Sequence, residues 1–136
     1  GFSKASAVVR QVCAGWQAVH DALVTRRVLK RRMTDEAVGM LVRRFPAVVS
    51  VQLMWVGYER QEVTDEGVRA VCSSLPALTS LNLSFCEEIT DEGVLALSSL
   101  PALTLLNLRH CNKVTAAGVQ ALRSTTASPY LDIDFP

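Results

Sequence analysis

The chain holds 136 residues, 49% hydrophobic and 20% charged, with 14 Lys and Arg against 13 Asp and Glu. This is the composition of one ordinary globular domain large enough for a real core, and no apolar run approaches the roughly 20 residues a membrane-spanning helix needs. Net charge is close to zero but unevenly placed: residues 1–33 carry seven basic side chains and one acid, residues 34–136 seven and twelve, so a basic head leads an acidic body.

Over residues 3–24 the apolar side chains of Val8, Val12, Trp16, Val19 and Leu23 recur at steps of three or four. That spacing gathers them on one face of an amphipathic helix in need of a partner surface. Arg26, Arg27, Lys30, Arg31 and Arg32 then put five positive charges into seven positions. Such a run suits a nucleic acid or nuclear import, but it lacks interleaved aromatics and any nucleic-acid motif, so a solvated connector or the exposed face of the first turn of the stack is the expectation. Whether residues 25–33 add an edge strand stays open, because the arginines and lysine fit a buried strand poorly.

TDEAV at 34–38, TDEGV at 64–68 and 90–94, and TAAGV at 115–119 each predict a helix start. The Thr hydroxyl accepts from a free amide of the first turn, and the acids that follow suit the positive end of the helix dipole. The Asp-Glu pairs are also the residue types of a general acid and base. Their recurrence at successive helix starts, with no nucleophile beside them, fits capping instead. Val38, Leu41 and Phe45, then Val68, Val71 and Leu75, then Val94, Leu97 and Leu100 share a helical face. Pro46, Pro76 and Pro101 act as stops, since the residue before proline is pushed out of the helical region. Gly67, Gly93 and Gly118 leave room for close approach between successive turns.

Strand-like triplets start at Val51, Leu81, Leu106 and Leu131, spaced 30, 25 and 25 residues apart, a period that signals a solenoid. The first interval is longer by four residues between Leu53 and Thr64 and one between Thr64 and Leu81. By strand alternation Leu81 and Leu83 point to the core while Ser80, Asn82 and Ser84 point away. Parallel stacking then predicts an exposed grid. Its rows are Gln52, Asn82, Asn107 and Asp132; Met54, Ser84, Arg109 and Asp134; and Ser50, Ser80, Leu105 and Tyr130. All of these except Ser50 and Leu105 are candidate protein-binding residues. Trp55, Phe85, His110 and Phe135 form an aromatic column at the strand exits, either edging that surface or packing over the turns. Leu83→Ala is expected to cost about 2 to 5 kcal/mol, and Asn82→Ala little.

Cys13, Cys72, Cys86 and Cys111 contain no CxxC pair and follow no secretory pattern, so reduced thiols in a cytoplasmic or nuclear protein are expected. His110 stands beside Cys111, but the other histidine, His20, is far off in sequence and no ligand spacing appears; no metal is expected. His110 also lacks a general-base partner, so neither catalytic nor cofactor-binding residues are expected.

The unit LxxLxLxxC followed by I/V-T-D-E-G-V, present as LTSLNLSFCEEITDEGV at 78–94, resembles the cysteine-containing class of leucine-rich repeats over roughly residues 45–136. The first copy departs, with Val56 at the Cys position and an inserted GYERQE segment. The resemblance implies an α/β leucine-rich-repeat solenoid, a right-handed βα superhelix of about four parallel strands over residues 34–136. A helical segment and basic linker, residues 1–33, would precede it.

This class looks most like the repeats of F-box/leucine-rich-repeat proteins, the substrate receptors of cullin-RING (SCF-type) ubiquitin ligases. VVRQVCAGWQAV, with Val12, Cys13 and Trp16, is similar to the V-C-x-x-W stretch near the end of an F-box. The Leu-Pro opening and first helices of an F-box have no counterpart in the 136 residues. The resemblance implies a substrate protein on the concave face, and a Skp-type adaptor and cullin reached through the F-box region, with Val12, Cys13 and Trp16 on the adaptor side. It implies no cofactor, nucleic acid or membrane. A leucine-rich-repeat scaffold or assembly adaptor without a ubiquitin-ligase role is the alternative, since a fold hosts many functions. The start at Gly1, with no initiator Met or signal-peptide pattern, and the stop at Pro136 on strand-like sequence are those expected of a fragment.

Overall fold

The computed structural model describes residues 25–29, 32–53 and 61–136. The expected helix over residues 3–24, with Val12, Cys13 and Trp16, lies outside them, as do Met54 and Trp55. Among the described residues, strands and helices alternate: β1 (Arg26–Leu29), α1 (Asp35–Arg44), β2 (Ser50–Leu53), α2 (Asp65–Ser74), β3 (Ser80–Asn82), α3 (Asp91–Ala96), β4 (Leu105–Asn107), α4 (Ala116–Thr125) and β5 (Asp132–Asp134).

Each helix starts where the sequence places a threonine. Thr34, Thr64, Thr90 and Thr115 hold extended backbone, and their hydroxyls accept from the N–H groups of Ala37, Glu66, Glu92 and Gly118. Each satisfies a donor that a helix start leaves open. Phe45 and Leu75 close α1 and α2 by donating to the carbonyls of Leu41 and Val71, and a proline follows each. α3 instead tightens into a 3-10 turn, Leu97–Ser99. Its six residues plus that turn of three stand where α2 has ten, which accounts for the extra residue between Thr64 and Leu81.

The strands form one parallel sheet in the order β1-β2-β3-β4-β5. On the helix side, Val51, Leu81, Leu106 and Ile133 lie in one register row and are buried. Leu53, Leu78, Leu83, Leu97, Leu100, Leu103 and Leu108 join them in a continuous core. Each helix packs on the next, so cohesion comes from neighbouring units.

The sheet has five strands rather than about four, because β1 adds an edge strand inside the stretch read as a basic linker. Its sequence looked too charged for this. Arg27 stands in the helix-side row opposite Val51, and its guanidinium lies 4.0 Å from the centre of the Phe45 ring, with that of Arg44 at 5.3 Å. A planar cation over an aromatic face ends the core where a leucine would otherwise be needed.

The last strand also departs from the expected phase. Leu105 pairs with Asp132, Leu106 with Ile133 and Asn107 with Asp134, two residues later than a constant 25-residue period gives. α4 runs one residue longer than α3 with its 3-10 turn. Six residues, 126–131, then lead into β5, against five, 100–104, into β4. The Leu-Pro-Ala-Leu turn with buried Leu100 and Leu103 has no copy there. An even slip preserves the alternation, so Ile133 remains inside and Asp132 and Asp134 remain outside.

Candidate functional site

The open face of the sheet is held in place by a contact on the helix side that the motifs only hinted at. Asp35 of α1 accepts from the N–H of Thr64 at 2.7 Å and from its hydroxyl at 2.5 Å. Asp65 does the same for Thr90, at 2.8 and 2.5 Å, and Asp91 for Thr115, at 2.7 and 2.6 Å. Each aspartate, expected to serve the dipole of its own helix, is thus bonded to the cap of the following one. A Cβ added at Gly67, Gly93 or Gly118 would come within 3.0 Å of that carboxylate. The recurring Asp and Gly of TDEGV are two halves of one contact between units.

At the exits of β3 and β4 the chain turns sharply. The Asn82 Oδ1 accepts from the N–H of Ser84 at 2.9 Å, and the Asn107 Oδ1 from that of Arg109 at 3.0 Å. Phe85 and His110 follow in left-handed backbone, φ 63° and 59°, with rings stacked 4.3 Å apart and inclined by 12°. Cys86 and Cys111 then return to the core, and the Cys111 Sγ donates to the Leu83 carbonyl at 3.1 Å. Burial pushes the Cys111 thiol from its ordinary 9.0 up to about 11. Burial first, and the neighbouring Cys111 second, push Cys86 higher still, and burial also raises Cys72. These thiols stay protonated at neutral pH and are poor nucleophiles. Among the described residues no group of three His, Cys, Asp or Glu side chains is placed to hold a metal ion, and no helix is long and apolar enough to cross a membrane.

On the open face two rows run across all five strands. One holds Arg26, Ser50, Ser80, Leu105 and Asp132; the other Val28, Gln52, Asn82, Asn107 and Asp134. The expected rows therefore hold from β2 to β4 and are corrected at β5, where Asp134 rather than Asp132 continues the asparagine row. Tyr130 leaves the grid altogether: it sits in the turn before β5, 82% exposed. Ser84 and Arg109 lie just beyond their strands, and Arg109 Nε donates to Asp134 Oδ1 at 3.0 Å. Met54 lies outside the described residues. Gln52, Ser80, Asn82, Leu105, Asn107, Asp132 and Asp134 enclose a groove of about 300 Å³.

Leu105, Arg26 and Val28 were not among the candidate residues. Leu105 was legible in its row of the exposed grid, where it stands 53% exposed as the apolar member. Arg26 and Val28 required knowing that β1 joins the sheet.

Residues 74–98 and 100–122 match the family described as Leucine Rich repeat. Together with a parallel sheet whose strands alternate with helices, that match decides the architecture. The fold of the described residues is an α/β leucine-rich-repeat solenoid. Its units extend beyond the matched residues, since the Asp35–Thr64 contact and the pairing of β1 with β2 repeat the same build. Leucine-rich repeats serve in general as non-enzymatic interaction modules, and solenoids of this kind offer an extended concave surface to protein partners.

Proposed function

We propose that this solenoid is the substrate-recognition part of a cullin-RING (SCF-type) ubiquitin ligase, holding a substrate protein on its concave face. The observation that carries the reading is the cysteine-type unit: Cys86 and Cys111 occupy equivalent buried positions after turns built on Asn82 and Asn107, followed by the Thr-capped helices. That unit resembles the repeats of F-box/leucine-rich-repeat proteins. Val12, Cys13 and Trp16 add the V-C-x-x-W likeness and would lie on the adaptor side. Chemistry would be left to a ubiquitin-conjugating enzyme, with the receptor supplying proximity alone. Such a receptor works in the cytoplasm or the nucleus, where its thiols remain reduced.

Affinity capture of the full-length protein from cells tests this. A Skp-type adaptor and a cullin should be recovered, and Trp16→Ala should deplete both while leaving the melting temperature of the repeats unchanged. Recovery of neither overturns the ligase reading and leaves a leucine-rich-repeat scaffold or assembly adaptor in its place.

A further inference from the structure

The open face is not uniform, and its unevenness selects the partner. One row begins at the exposed cation Arg26, passes through Ser50 and Ser80, meets exposed Leu105 and ends at Asp132. With about 4.8 Å between strands, the two charges stand roughly 19 Å apart. Leu105 is the apolar patch beside the acidic end, and Asp132, its register partner, is exposed; its backbone N–H donates to the Thr104 carbonyl, while its carboxylate makes no hydrogen bond or ion pair among the described residues. Asp134 already shares one oxygen with Arg109, in an exposed pair that leaves the other oxygen available. The carbonyl oxygens of Asn82 and Asn107 already accept within their own turns, so what these asparagines chiefly offer the groove is the donor Nδ2.

We propose that the groove takes an extended segment of a partner protein bearing an Arg or Lys side chain at its β5 end. The aliphatic stem lies on Leu105 and the charged head bonds the Asp132 carboxylate and the open oxygen of Asp134. Backbone carbonyls of the segment accept from Asn82 and Asn107, and Arg26 favours an acidic or neutral residue at the far end. A stem on apolar surface with its head on a carboxylate is how long cationic side chains are best accommodated. The inference rests on the concave-face part of the function proposed above and is independent of the ligase part.

The test is selection of a displayed random 12-residue peptide library on the full chain, followed by affinity measurement on the winning peptides. Winners should share an Arg or Lys, and Asp132→Asn with Asp134→Asn should weaken them about tenfold or more. Asp132→Lys should restore binding to a winner whose basic residue is replaced by Glu. Asn82→Arg, which fills the groove, separates the possible failures. If winners are lost in Asn82→Arg but carry no basic residue, or are indifferent to the aspartate variants, the groove binds peptides and the basic anchor is overturned. If no winner is sensitive to Asn82→Arg, the concave-face reading falls and the anchor with it.

Discussion

The two sides of the sheet obey opposite rules. On the helix side each unit repeats the one before it: Thr64, Thr90 and Thr115 meet Asp35, Asp65 and Asp91 in the same way, and Val51, Leu81, Leu106 and Ile133 fill the same place. On the open face the same register positions change identity at almost every step, from Arg26 through serines to Leu105 and Asp132. Stacking requires each unit to fit its neighbour, so the residues that make the joint must recur. No such demand falls on the face turned away from the helices. Repetition marks what holds the stack together, and variation marks where a partner can be chosen.

The contrast can be broken by mutation, most severely in the core. Leu83→Ala should cost about 2 to 5 kcal/mol in urea unfolding, because Leu83 is buried and its loss leaves a cavity. A cost no larger than that of a change on the open face would refute the division. Asp65→Ala should cost about 1 to 3 kcal/mol, since the amide and hydroxyl of Thr90 lose their acceptor together. Gly93→Ala should destabilise through the same contact, and calorimetry showing either variant at wild-type stability would remove the joint from the argument.

Alkaline pH offers a milder probe. The folded Cys111 keeps its proton up to about pH 11, whereas the unfolded thiol loses it above its ordinary 9.0. Between those values the unfolded state binds fewer protons, so stability is full below about pH 9 and falls as pH rises, by at most about 1.4 kcal/mol per pH unit per thiol. Melting curves from pH 8 to 10.5 should show the fall, and Cys111→Ala should make it shallower, the buried Cys86 still contributing the rest.

The smallest effects sharpen the open face itself. Ser80→Ala should stay within about 0.5 kcal/mol of wild type. Asn82→Ala should cost more, about 0.5 to 1.5 kcal/mol, because its carbonyl holds the turn to Ser84. That exceeds the small cost expected from strand alternation alone.

Legibility in the sequence followed the same division. The central units announced strands, inward leucines and caps, because Leu-Pro-Ala-Leu, Leu-Asn-Leu and Thr-Asp-Glu-Gly-Val recur there at constant spacing. Beyond them the landmarks fail for local reasons. Residues 124–131 carry no Leu-Pro-x-Leu turn, so counting placed β5 two residues early and put Tyr130 on the grid. At β1, charge concealed a strand whose Arg27 settles on Phe45 instead of entering the core. The aspartate contacts were hidden because apolar periodicity reports which face of a helix is inward, not which polar atoms meet across units.

Those aspartates also give the stack a direction. In every described case the carboxylate belongs to the earlier helix and the threonine to the later one, so each helix start is templated by the unit already in place. A chain emerging from the ribosome N-terminus first would find each acceptor waiting before the corresponding threonine arrived. At α4 the position of the aspartate is occupied by Ala116, and the relay from unit to unit stops there.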